Sequence, residues 1–210
     1  MDYINRCGGR RWRSLPGGLV EVEGEGTPAY TPGTAQFLNL ARTWANWSSL
    51  FRSAAQQYRI PVSWVVGIAT TETGAWSNDP SRQANIVSYA AAVGIMQVIP
   101  QYQGMTTAQL QDPATNVRTG AKILSQHAAR FGPELPYIAA AYNAGSVYCD
   151  PGRNEWNLRA DANYPRQALM YNNSALLYLP LSSAGMLAWT LGGAAVAGVA
   201  VAAILAWSHR

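Results

Sequence analysis

The sequence predicts a mainly α-helical fold that ends in one long apolar helix, and three observations carry this. Apolar residues recur at three- and four-residue intervals through most of residues 35–180, the spacing that lines one face of a helix. Cap residues followed by proline, and isolated glycines, punctuate that stretch where helices begin and end. Beyond it, the 22 residues from Met186 to Trp207 include no charged side chain.

The elements follow in order. Residues 1–34 are rich in Gly and Pro and keep no amphipathic period. Arg6, Arg10, Arg11 and Arg13 form a basic cluster, and Glu21, Glu23 and Glu25 an acidic one. The expectation is a flexible arm, either a solvated tail or a tether to other proteins. No apolar run of signal-peptide type opens the chain, so no secretory signal is expected. Phe37, Leu40, Ala41, Trp44, Phe51, Ala54, Ala55 and Tyr58 mark a first helix. Pro61, at a first helical position, opens a second with Val62, Val65, Val66 and Ala69. Asp112-Pro113 is a cap followed by proline, and the stripe Val117, Ala121, Leu124, Ala128, Phe131 runs from it to Gly132. Pro136 opens an apolar helix closing near Gly145, and a last helix covers about Tyr164 to Leu179. Residues 86–100 are expected as a short hairpin or loop. Trp44, Trp47 and Trp64 are assigned to the core and His127 to the surface.

The final segment, residues 184–207, is predicted to cross a membrane. At 1.5 Å per residue the charge-free run spans about 33 Å, enough for a bilayer core. Trp189 and Trp207 sit like interfacial anchors, and a short basic tail, residues 208–210, closes the chain. Gly193/Ala197 and Ala194/Gly198 are small-residue pairs of the kind that let helices approach in lipid, a pattern that an Ala/Gly-rich segment also yields by chance.

Composition excludes several classes. At 49% hydrophobic residues, extended disorder is ruled out for most of the chain. Two Cys and two His cannot build a zinc finger or a multi-histidine metal site. A net charge of +4 is too small and too dispersed to argue for nucleic acid. Cys7 and Cys149 either pair or stay as two thiols; the sequence leaves both open, and with them the redox compartment.

Chemistry is expected first at Glu72. It lies three residues after Ala69 and seven after Val65, on the same helix face as both. A carboxyl on an apolar face loses solvation, its pKa rises, and it can hold a proton near neutral pH as a general acid. Around it stands an ordered set: Glu72-Thr73, then Ser88, then Gly94-Ile95-Met96-Gln97 with Pro100. Next come Asp112-Pro113 with Asn116, Ala141-Tyr142-Asn143-Ala144-Gly145, and Asn163-Tyr164.

This set, over roughly residues 37–178, resembles the lytic transglycosylase domain of the soluble (SLT) type, a relative of goose-type lysozymes. The resemblance implies a lysozyme-like α+β domain with little β-structure over residues 35–180. It implies Glu72 as the catalytic acid, with Thr73, Ser88, Met96, Gln97, Asn116, Tyr142, Asn143 and Tyr164 binding substrate, and neither cofactor nor metal. The departures are Thr73 for Ser, Ile95 for Leu, Ala91 for a Gly, Pro165 for Val, and Ser146-Val147 for a longer Gly/Pro turn.

The implied partner is peptidoglycan. In the family the acid protonates the oxygen joining N-acetylmuramic acid to N-acetylglucosamine. The resulting carboxylate takes the C6 hydroxyl proton of the muramic ring, and that oxygen closes a 1,6-anhydro end. The nucleophile belongs to the substrate, so one carboxyl suffices. A muramidase that hydrolyses the same bond normally needs a second carboxylate about 5–9.5 Å away. Asp79 is nearest in sequence, but Asn78-Asp79-Pro80 reads as a turn. A non-catalytic structural membrane component is the reading from another class.

With its span at the C-terminus and no signal peptide, the enzyme is expected in a phage virion membrane, acting on the wall during entry. The alternative is the bacterial inner membrane or periplasm, with a secretion or conjugation apparatus. Residues 1–34 are then candidates for contact with other virion or secretion-complex proteins.

Overall fold

The computed structural model describes residues 2–181. The predicted membrane helix, residues 184–207, lies outside the described residues; among those described, no helix is long and apolar enough to cross a membrane.

Helix α1 (Ala35–Tyr58) starts at Thr34, whose hydroxyl accepts from Phe37 N, and stops at Arg59 in the left-handed conformation. After Pro61, which caps rather than enters it, comes α2 (Val62–Thr73). This helix is buried on nearly every side because α1, α6 (Pro113–Phe131) and α8 (Tyr164–Tyr178) surround it. Gly67 lets α8 approach closely: a β-carbon there would lie 3.3 Å from Ala168 O and Asn172 N. The cap-proline signal at Asp112 behaves as expected, with its carboxylate accepting from Thr115 N and Gly132 ending the helix. Helix α7 (Leu135–Ala144) then runs against α6 and α8. Three short helices escaped the periodicity: α3 (Pro80–Asn85), α4 (Pro100–Gln103) and α5 (Thr107–Gln111). Segments of four to six residues hold about one turn, too few to show a period.

Residues 86–100 form a folded-back loop with isolated bridges Val87–Val93 and Val93–Val98. Little strand is present elsewhere, as expected.

The N-terminal segment departs from the arm expected there. Strands β1 (Trp12–Ser14) and β2 (Val20–Val22) pair antiparallel. Trp12 is fully buried, edge-on to Tyr137 and Trp156 at 4.9 and 5.6 Å. The two charge clusters face each other: Arg13 bonds Glu21 at 2.7 Å, and Arg11 pairs with Glu23. Asn173 on α8 donates to Val20 O and accepts from Val20 N. Cys7 and Cys149 are joined in a disulfide that links positions 142 residues apart. A segment expected to be loose is thus tied to the body by a buried indole, side-chain-to-backbone bonds and a covalent link.

Candidate active site

Helix α2 carries Glu72 in its last turn, where the helix emerges from its neighbours. Helix α8 begins with Tyr164, a buried residue whose hydroxyl donates a hydrogen bond to Glu72 Oε1. Burial is the largest influence on this carboxyl and pushes its pKa from 4.5 to about 7; the Tyr164 bond opposes that rise, and the Asp161 charge adds to it. Glu72 therefore holds its proton to near neutral pH, as its place on an apolar face predicts. Burial beside Glu72 also pushes the Tyr164 and Tyr142 hydroxyls well above 10, so both remain donors.

Several residues that the resemblance implies for substrate binding are spent on the protein itself. Asn116, 1% exposed, accepts from Met96 N at 2.8 Å and donates to Val93 O and Leu110 O at 2.8 and 2.9 Å. It has nothing left for a saccharide; its task is to hold the loop that follows Ile86. Thr73, fully buried, donates to Ile95 O at 2.8 Å and ties the end of α2 to the same loop. The Met96 side chain is also fully buried, against Gly120, where a β-carbon would collide with its sulfur. Ser88 accepts from Ala92 N and closes its own turn. Gly94 completes the set: its φ is +73°, and a β-carbon would lie 2.5 Å from Asn116 Nδ2. Only glycine allows that close approach.

Gln97, Tyr142 and Asn143 do reach open space. They line a groove of about 570 Å³, to which residues 97–103, helix α6 and the end of α7 contribute. Tyr142 donates to Met96 O at 2.7 Å, bracing the loop from the groove side. Asn143 accepts from Asp161 N at 2.8 Å.

Asp161 and Tyr102 were missed, and His127 was placed at the surface without a role. Asp161 influences Glu72, whereas Asp79 caps α3 by accepting from Arg82 N at 3.0 Å. Tyr102 and His127 line the groove; His127 is partly exposed there. The available signal for it was its position four residues after Ile123, at the edge of the α6 stripe.

The transglycosylase SLT domain family matches residues 49–157, just over half of the chain. The match takes in Glu72, Gln97, Asn116, Tyr142 and Asn143 and ends before Tyr164. The chain is 36% identical to the membrane-bound lytic murein transglycosylase C of Haemophilus influenzae, over 36% of this chain and 22% of that protein. It is 30% identical to the soluble lytic murein transglycosylase of Escherichia coli K12, over 51% of this chain and 16% of that one. It thus spans about a fifth of the length of these relatives. Among solved structures, the 70 kDa soluble lytic transglycosylase of Escherichia coli aligns with a TM-score of 0.40 at 22% identity, covering 77% of this chain and 23% of the other. On the extent of the family match, this chain belongs to the transglycosylase SLT domain family.

Proposed function

We propose that the protein is a peptidoglycan lytic transglycosylase with Glu72 as its acid and then its base. The observation that carries this is one desolvated carboxyl, protonated to about pH 7 and held by Tyr164 where α2 emerges. The protonated carboxyl gives its proton to the glycosidic oxygen between N-acetylmuramic acid and N-acetylglucosamine. Tyr164, bonded to Oε1, stabilises the carboxylate that results. That carboxylate then takes the C6 hydroxyl proton as the C6 oxygen attacks C1, leaving a 1,6-anhydro end. No external base is consumed, and water need not be positioned. Asn143, fixed by the Asp161 backbone, is placed to meet substrate along the groove.

Hydrolysis is the second reading, and Asp161 is the observation that favours it, since its charge acts on Glu72. Delivery rests on the sequence: residues 184–207 would anchor the enzyme in a virion or bacterial membrane, and one relative is itself named membrane-bound.

The test is the full chain on purified peptidoglycan beside Glu72→Gln, with products read by mass spectrometry. Anhydro-muropeptides are expected, with rate falling as pH rises through about 7 and dropping about 1,000-fold in the variant. Reducing ends would shift the assignment to hydrolysis and to Asp161. Wall binding without products, unchanged in the variant, would favour a structural membrane component.

A further inference from the structure

One groove residue has no task in the chemistry of Glu72. His127, on α6, lines the groove and is half-buried, with its ring 6.5 Å from that of Tyr142 and nearly perpendicular to it. Neither ring nitrogen has a hydrogen-bond partner among the described residues. Burial, with Arg130 on the same helix, lowers its pKa from 6.5, so the ring is neutral at pH 7. A neutral imidazole offers one N–H and one lone pair. Within the described residues both stay unmatched, so water or a ligand must answer them.

The rest of the groove says what kind of ligand. None of its lining residues carries a fixed charge; its polar groups are the amides of Gln97, Gln103, Gln126 and Asn143. Tyr102, 74% exposed, adds an aromatic face. Amides, an imidazole and a phenol suit an uncharged ligand with hydroxyls, an amide and apolar ring faces. A peptide stem bearing free carboxylates would find no cation among the lining residues.

We propose that His127 binds an N-acetylated hexosamine unit of the glycan, donating to its acetamide carbonyl and accepting from a ring hydroxyl. This rests on the glycan reading of the groove and adds to it the residue that selects for the acetyl group.

The test uses the full chain carrying Glu72→Gln, which binds without cleaving, with N-acetylchitotetraose and its fully deacetylated counterpart as probes. Adding His127→Ala is expected to weaken binding of the acetylated sugar about tenfold. His127→Gln, which keeps a donor and an acceptor, should recover part of that loss. The His127 ring nitrogen resonances should move on binding, and the deacetylated sugar should bind weakly to all three proteins. Equal affinity with and without His127, ring resonances unmoved by bound sugar, or equal binding of both probes would each overturn the proposal. So would failure of N-acetylchitotetraose to bind the Glu72→Gln protein. The transglycosylase reading is judged separately, by whether the native chain releases anhydro products.

Discussion

Residues 2–34 and residues 86–100 both have little regular structure, yet they are held in different ways. The N-terminal segment adds surface ties to the buried Trp12 and to Asn173, whose amide bonds the backbone of Val20 and Pro28. Arg10 meets Glu25 and Glu155 at 3.0 and 3.1 Å, Arg166 meets Glu155 at 2.8 Å, and a disulfide closes the link. The loop is fastened from within, by Asn116 and Thr73, two buried side chains that bond only to backbone. Solvent-exposed ion pairs contribute little individually, whereas a buried amide with three partners leaves all three stranded if it is removed. The loop beside Glu72 thus depends on a few buried contacts, whereas the N-terminal side adds surface ion pairs and one covalent bond to its buried ones.

Asn116→Ala tests the first half of that contrast and carries the largest expected effect. Val93 O, Leu110 O and Met96 N would lose their partner in the interior, at a cost of about 3–5 kcal/mol. Urea unfolding should show it, together with a loss of glycan cleavage as the loop beside Thr73 loosens. A loss below about 1 kcal/mol, the worth of one ordinary hydrogen bond, would mean the loop holds without the amide and would end the contrast.

Cys7→Ser with Cys149→Ser tests the second half. The disulfide spans 142 residues, and losing a cross-link that closes so long a loop should cost about 3–4 kcal/mol. Because neither cysteine lines the groove or bonds Glu72, thermal stability should fall while kcat on glycan stays close to native at temperatures where the protein is folded. Equal loss of kcat at full folding would show that the disulfide also sets the site.

The same contrast explains what the sequence made legible. Long helices announced themselves through their stripes and caps, and Glu72 through its place on an apolar face. Thr73, Met96 and Asn116 stood in the right pattern for the family, but pattern does not say whether a polar group faces ligand or backbone. That depends on where a loop without its own ladder finds hydrogen bonds. Residues 1–34 misled for a related reason. Arg11-Trp12-Arg13 and Val20-Glu21-Val22-Glu23 alternate with period two across Pro16-Gly17-Gly18, a hairpin signal only three or four residues long on each side. His127 and Asp161 were hidden because the groove joins α6 and α7 to residues 97–103, and Asp161 acts on Glu72 from the segment before α8; no local spacing relates these pieces.

The smallest effect separates the two regions by pH. On the N-terminal side Glu25 is held below its ordinary pKa, chiefly by its bond from Arg166. Its contribution is present above that ordinary value and is lost as acid protonates it in the fold. Glu72 runs the other way. Its folded pKa of about 7 lies above the ordinary 4.5, so the fold binds this proton more tightly than the unfolded chain does. That contribution is complete below about 4.5 and disappears as pH rises through about 7. Glu72→Gln removes the titration, so the variant should gain about 2–3 kcal/mol over the native protein between pH 5 and pH 8. Glu25→Gln should show its deficit at pH 7 and lose it towards pH 3. Thermal melts of both variants across that range read the two signs directly, and parallel curves would mean that Glu72 is solvated like an ordinary surface carboxylate.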